Sequence, residues 1–444
     1  MNAREIAYYI LFHFEQEKGK LHELISNSLT ATEYDLRDGE KKYISHLCSG
    51  VVRNLSLIDW KLSGLYDGDY KRMLNKIKSL LRLALYELDY MDFIPPHATV
   101  NEVTTLARKK INSRAAAQVN GILRTYLREK GRFDPERKFK YIETQLAVKY
   151  SFPEWMIKRW INLWGEEETR QLCAAFNERP YFDLRINLSR VTSDDFIQIL
   201  NRNNIEFRPS AVFPQVVKVY DLLKITKLKL FEQGLCSVQD ESSLLVLELL
   251  QLDFKGWIVD VCAAPGGKLT AILEREKSGL KVIGLDRDLR RLNRLQENCQ
   301  RLGLQNYNLL QNDATVPAFR TEFEQILIDA PCSGLGSIQK HPDIKWRRSW
   351  SEILEFQELQ LKILQAQAKL IKTGGFIVYS TCTIEPAENE GVVEKFLELH
   401  KDRFEIDRLP EMLSPFSRDN TYLRTFPHHH QMDGSFAVRL RKKQ

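Results

Sequence analysis

Apolar residues recur at helical spacing through the first third of the chain. Ile6, Tyr9, Ile10 and Phe14 fall on one helical face. The same period runs from Glu40 to Leu62 through Ile44, Leu47, Val51 and Leu55, and from Lys76 to Tyr90 through Leu80, Leu81, Leu85 and Leu88. Pro95-Pro96 breaks the pattern, because proline cannot continue a helix. Further helical stretches are predicted over about 97–110 and 114–130. No segment here alternates like a strand, so residues 1–140 are predicted to form an all-α domain. Gly131 to Lys140, charged and carrying Pro135, reads as its linker.

Beyond it the period changes. Residues 141–176 are helical, with Trp155, Trp160 and Trp164 among the apolar positions. Phe182 to Asn187, Glu206 to Pro209 and Val216 to Tyr220 read as strands. Asp194 to Asn203 reads as a helix capped by Thr192 or Ser193. Together these predict a small helical plus α/β module over 141–234. From 235 to 444 short apolar runs alternate with helical stretches. The runs are Trp257–Val261, Lys281–Leu285, Tyr307–Leu310, Gln325–Ile328 and Gly375–Ser380. The helices are Leu269–Glu276, Leu289–Leu302 and Ser351–Ile371. Repeated strand–helix units predict a parallel sheet with helices on both faces.

Composition narrows the class. The 444 residues fit two to four domains, at roughly 100–200 residues each. With 43% apolar and 28% charged residues, disorder, collagen and coiled-coil rods are excluded. No apolar run approaches the roughly 18 residues of a spanning helix, so no membrane partner is expected. Met1 to Lys20 carries Glu5, His13 and Glu15 around its apolar patch and has no small-residue cleavage site; it reads as an amphipathic helix rather than a signal peptide. The seven cysteines include no CxxC pair, which argues against a zinc or redox motif and for a reducing cytoplasm. Consecutive His428, His429 and His430 cannot all point one way on an ordinary element, and no Asp, Glu or Cys partner set is evident in the sequence, so no metal is expected. Residues 1–140 hold 24 Lys+Arg against 18 Asp+Glu, whereas the remainder holds 41 of each. All the net +6 therefore lies in the helical third, where phosphate backbones would be attracted.

The first strand of the sheet runs into Val259-Asp260-Val261-Cys262-Ala263-Ala264-Pro265-Gly266-Gly267-Lys268. Small residues between a strand and a helix let a ligand approach the backbone. The spacing is not GxGxxG, so a dinucleotide fits poorly. Acids follow successive strands: Asp260, Asp286, Asp313 and Asp329. In open parallel sheets ligands bind outside the carboxyl ends of the strands. Asp286 lies 20 residues past Gly266, the offset at which an acid meets ribose hydroxyls. Asp313 is placed to take an adenine amino group. Cys332 and Cys382 follow neighbouring strands in polar turns, on the same rim.

These motifs resemble those of S-adenosylmethionine-dependent methyltransferases, and within them the NOL/NOP/Sun family of RNA cytosine-5 methyltransferases. Asp260 to Lys268 is similar to that family's first motif. Asp329-Ala330-Pro331-Cys332-Ser333-Gly334 is similar to its fourth, and Ser380-Thr381-Cys382-Thr383 to its sixth. Arg185-Ile186-Asn187, Gln239-Asp240-Glu241-Ser242-Ser243 and Pro427-His428 with Asp433-Gly434 also match; Ser435 departs, standing where the family usually has an aromatic residue. The helical start resembles NusB. The resemblance implies a Rossmann-like methyltransferase domain at the C-terminus, preceded by an all-α NusB-like RNA-binding domain and the small α/β module.

Cytosine C5 is too weak a nucleophile to take a methyl group unaided. A thiolate adding to C6 turns the ring into an enamine; a base must later remove the C5 proton so that the thiol can leave. Cysteine suits the task, although at a pKa of about 8.5 only a few per cent is ionised at pH 7. The resemblance makes Cys382 the nucleophile, Cys332 the residue of product release and Asp329 a contact to the cytosine ring. It places the cofactor against Cys262, Ala263, Ala264, Pro265, Gly266, Gly267, Lys268, Asp286, Asp313 and Asp329, with Lys268 helping to hold the base or the cofactor's carboxylate. Joined to a NusB-like domain, it implies a cytosine of small-subunit 16S rRNA, free or partly assembled, as substrate of a monomeric enzyme. Methylation of another RNA such as tRNA, action on DNA, and a non-catalytic RNA-binding scaffold are the alternatives; the Thr-Cys motif argues against DNA, and the presence of Cys382 and the glycine pair against a scaffold.

Overall fold

In a computed structural model of the chain, residues 2–16, 19–31, 35–275 and 279–444 are described; Met1, residues 17–18 of the predicted N-terminal helix and Glu276, the predicted end of a later one, lie outside them. The chain divides into two compact units. The first comprises Met1–Glu178 with Lys340–Arg347, the second Arg179–Gln339 with Arg348–Gln444.

The first unit is helical, as its periodicity predicts. Ala3–Gln16, Asn75–Tyr90, Pro96–Lys110 and Ser113–Glu129 follow the predicted stretches closely, and Pro96 opens its helix where the fixed φ of proline is tolerated. The pattern from Glu40 to Leu62 is not one helix. It divides at Asn54 (φ −107°, ψ 19°) into Asp38–Arg53 and Leu55–Ser63, a turn that apolar spacing does not register. The predicted linker is packed rather than loose: Phe133 and Phe139 both lie against Trp60, at 5.6 and 5.7 Å between ring centroids. Packing therefore groups residues 141–178 with the first unit, unlike the division at 140 read from composition. Lys340–Arg347 is also part of this unit. Lys345 is fully buried there and donates to the Arg53 and Ser151 carbonyls, each at 3.0 Å, and to Asn177 Oδ1 at 2.9 Å. Burial drives its ammonium well below the ordinary range.

The second unit holds two sheets. The smaller contains β1 (Phe182–Ile186), β2 (Phe207–Pro209), β3 (Val216–Val219) and β4 (Cys236–Val238), in the order β2-β3-β1-β4 and antiparallel throughout. Thr192 caps its helix, Ser193–Arg202, by accepting from the Asp195 N–H. β4 places the edge of this sheet four residues beyond the boundary expected at 234.

The larger sheet contains β5 (Trp257–Asp260), β6 (Lys281–Asp286), β7 (Tyr307–Gln311), β8 (Phe323–Asp329), β9 (Ile371–Thr381), β10 (Phe404–Ile406), β11 (Leu423–Thr425) and β12 (Ser435–Lys442). Its order is β10-β12-β9-β8-β5-β6-β7, with β11 pairing β12. β5 to β9 are mutually parallel, as predicted. The C-terminal strands run antiparallel and were not foreseen: two are three residues long, and β12 alternates with arginines rather than forming an apolar run. Both faces of β5, β6, β8 and β9 are covered, which explains their near-continuous apolar character, whereas β7 at the edge is largely exposed. Ile258, Val282, Leu327 and Val378 join Leu269, Ile272 and Leu295 in one core cluster. Their neighbours Val259, Ile283, Ile326 and Ile377 join Ile363, Leu364 and Phe396 in the other.

Candidate active site

Because β5, β6, β8 and β9 run parallel, their carboxyl ends share one edge of the sheet. Asp260, Asp286 and Asp329 are the last residues of β5, β6 and β8; Cys382 follows β9 immediately and Cys332 follows β8 by three residues. The register aligns Asp329 with Ser380 across β8 and β9. The expected residues thus converge from distant parts of the sequence, through topology alone.

The glycine-rich turn supplies the approach. Gly266 has φ +106°, a conformation L side chains rarely adopt, and a Cβ there would collide with Leu295. Gly267 opens the following helix, Gly267–Arg275, beside Gln239. Arg185 braces this helix from beneath. It is 2% exposed, bonds Glu274 through Nε and Nη2 at 2.8 and 2.9 Å, and reaches Thr270 Oγ1 and the Gly267 carbonyl, each at 3.0 Å. It also donates to Gln239. The Arg185 and Gln239 motifs therefore hold the glycine-rich turn in place, a role spacing in the sequence did not reveal.

Asp286 is buried and partnered. It accepts from the backbone N–H of Ala264 (3.3 Å) and Asp288 (3.0 Å), and Arg291 lies 3.3 Å away. Arg291 was missed; it stands in the helix after β6 and also reaches the Ala264 carbonyl. Asp313 is exposed, and its Oδ1 accepts from the Thr315 N–H and hydroxyl at 2.9 and 2.7 Å, which lowers its pKa. Asp260 differs in kind. It is 1% exposed, and among the described residues no side chain hydrogen-bonds its carboxylate, which meets only the Cys262 backbone. Burial first, and then Asp329, push its pKa up to about 8. A buried carboxyl held neutral in this way would lose its proton more readily beside a positively charged ligand.

At the rim, Lys268 Nζ lies 2.8 Å from Asp329 Oδ2, while Ser380 Oγ donates to Asp329 Oδ1 at 3.0 Å. Burial opposes the charge on Lys268, and Asp329 overrides it, so the ammonium is held above its ordinary pKa. Cys332 and Cys382 Sγ are 3.2 Å apart. Of the seven cysteines only Cys382 is exposed. The hydrogen bond to Cys382, together with burial, raises the Cys332 thiol well above its usual range, and burial raises Cys262. Backbone contacts tie the motifs together: Gly336 N–H donates to the Cys382 carbonyl at 3.1 Å and Gly434 N–H to the Gly336 carbonyl at 2.9 Å. A side chain on Gly434 would strike Ile384. Ser435 is buried and bonds Thr425, so the missing aromatic is replaced by a hydroxyl pair at 2.9 Å. The His428 and His429 rings lie 4.0 Å apart, whereas His430 meets the Phe426 backbone, so the three consecutive histidines do not all point one way.

Comparison with known proteins agrees with this geometry. The family described as "16S rRNA methyltransferase RsmB/F" matches residues 247–441, the NusB family 1–128, and a ferredoxin-like domain of RsmF/B-like methyltransferases 152–226. A Synechocystis protein named "Probable ribosomal RNA small subunit methyltransferase B" is 35% identical, with each chain wholly covered. The Escherichia coli K12 ribosomal RNA small subunit methyltransferase B is 32% identical over 94% of each chain. The chain belongs to the ribosomal RNA small subunit methyltransferase B family. The fold agrees too: the solved structure of PH0851 superposes with a TM-score of 0.80 at 24% identity, covering 100% of this chain and 99% of that one. A methyltransferase homologue from Pyrococcus horikoshii superposes at 0.57 with 26% identity, covering 69% of this chain and all of the other.

A methyltransferase of this family uses S-adenosylmethionine as methyl donor. The residues fit it. The donor carries a positive sulfonium and an ammonium, which Asp260 would meet on losing its proton, with Asp286 and Asp329 at the neighbouring strand ends; the Gly266-Gly267 turn would leave it room.

Proposed function

We propose that the chain methylates C5 of a cytosine in small-subunit 16S rRNA, in a reducing cytoplasm, with its basic helical unit contributing phosphate contacts. The observation that carries this reading is the pair of thiols 3.2 Å apart beside the Lys268–Asp329 ion pair. Such a pair suits a reaction that needs one sulfur to add and another group to handle a proton.

The Cys382 thiolate adds to C6, forming a C–S bond and moving an electron pair toward C5. Asp329, fixed by Lys268 and Ser380, contacts the ring and supports its protonated form. The Cys262–Lys268 turn, Asp286 and Asp313 would hold S-adenosylmethionine, which would supply the methyl group to C5 as its S–CH3 bond breaks and the sulfur departs as a neutral thioether. Cys332 then assists removal of the C5 proton; the C–S bond breaks, the electron pair returns to Cys382 and the methylated base is released. The target base must be unstacked for its C6 to reach the Cys382 sulfur, which favours RNA not yet locked into a finished particle. Mapping 5-methylcytosine in 16S rRNA from cells with and without this chain tests the reading. One 16S position should lose its mark. A mark lost from tRNA instead, or none lost anywhere, would overturn the assignment.

A further inference from the structure

The residue after each thiol turns inward. Ser333 follows Cys332, Thr383 follows Cys382, and their hydroxyl oxygens are 2.9 Å apart. Beside them lies Glu388, fully buried. Its Oε1 accepts the Ser333 N–H at 2.8 Å and the Gln360 amide at 3.1 Å; its Oε2 accepts the Ser333 hydroxyl. Gln360 also holds the Pro331 carbonyl at 2.9 Å, and the Tyr379 hydroxyl donates to the Glu388 carbonyl at 2.7 Å. Arg348 donates to the Ser333 carbonyl at 2.8 Å. The hydrogen-bond donors reaching the Glu388 carboxyl are neutral, an arrangement that burial disfavours. Burial does raise the acid, while the Ser333 donors pull it back. A costly group in this position serves the turns it holds.

We propose that Glu388 is a positioning residue for the methyl transfer: it locks the Cys332 turn against the Cys382 turn so that release follows attack without loss of register. The proposal rests on the cytosine-C5 reading. It also bears on the thiols themselves. Cys332 faces Cys382 and Glu388, and both oppose its ionisation, whereas Cys382 faces the Lys268 ammonium. Glu388 itself faces Ser333, Thr383, Gln360 and Tyr379. The charge around Cys332 thus favours its neutral thiol.

The test uses the full chain and two readouts. The first needs no RNA: iodoacetamide alkylation of each cysteine, followed by mass spectrometry across pH. Glu388→Gln should let Cys332 alkylate roughly threefold faster near neutral pH, about half a pKa unit. The second is single-turnover release of methylated RNA, which should slow by about tenfold, with S-adenosylmethionine affinity within about twofold of wild type. Glu388→Asp should restore part of the release rate. If Glu388→Gln fails to fold, Ser333→Ala removes one hydroxyl from the same cluster and should shift both readouts in the same direction. Unchanged alkylation and unchanged release in a folded variant would overturn the proposal. Failure of the wild type to form 5-methylcytosine in RNA would instead overturn the cytosine-C5 reading, while the alkylation readout would still decide whether Glu388 governs the thiols.

Discussion

The buried carboxyl of Asp260 leads to a quantitative expectation for cofactor binding. With its pKa at about 8, Asp260 is protonated in nearly all free molecules at pH 6 and 7. The groups facing it are Asp329 and Asp286, which oppose ionisation, Lys268, which favours it, and the Cys262 turn. If the donor's positive charge is met by the ionised form, binding must expel that proton. The ionised fraction is roughly a hundredth at pH 6 and a tenth at pH 7, so affinity should rise about tenfold over that unit, with about one proton released per molecule bound. Titration calorimetry in two buffers of different ionisation enthalpy counts the proton directly. Asp260→Asn should flatten the slope and abolish the release. The same substitution should raise the thermal midpoint of the cofactor-free protein at pH 7. A carboxyl whose folded pKa is raised loses stability as pH climbs from the ordinary carboxylate range to about 8, and asparagine escapes that loss. Equal affinity at pH 6 and 7 with no proton release would refute the reasoning.

Two further outcomes are expected. Asp286→Ala should weaken S-adenosylmethionine binding by roughly tenfold or more, since it removes a charged hydrogen-bond acceptor, with the fold retained by circular dichroism; unchanged affinity would place the ribose contact elsewhere. Reversing the exposed Arg108, Arg114 and Arg124 to glutamate should lower the slope of RNA affinity against salt, by roughly 0.7 per lost phosphate contact; an unchanged slope would remove these residues from the RNA-binding face.

Much of this was legible in the sequence for a physical reason. Strands buried on both faces and amphipathic helices leave strong periodic signals, so the parallel core and the helical start could be read directly. The acids and thiols at strand ends were legible because the rule that ligands gather at carboxyl ends converts topology into proximity. What escaped was long-range or nonperiodic. The strands β10 and β11 are too short to show alternation, and Asn54 divides a helix without disturbing apolar spacing. Lys345 is a buried cation from a segment far along the chain, and nothing local marks it. The brace of Arg185 on Gly267, and the clamp of Glu388 on Ser333, join residues 82 and 55 positions apart. Only the fold brings them into contact.

The covalent route is tested most directly by trapping. Cys332→Ala leaves Cys382 free to add to C6 and C5 free to take the methyl group, but slows loss of the C5 proton. Incubated with 16S rRNA and S-adenosylmethionine, this variant should accumulate a protein–RNA adduct that survives denaturing electrophoresis. The Cys332→Ala, Cys382→Ala double variant should show none, and Cys382→Ala alone should be inactive. Trapping by Cys382→Ala with none by Cys332→Ala would exchange the two roles, and complete turnover by Cys382→Ala would contradict the covalent mechanism altogether.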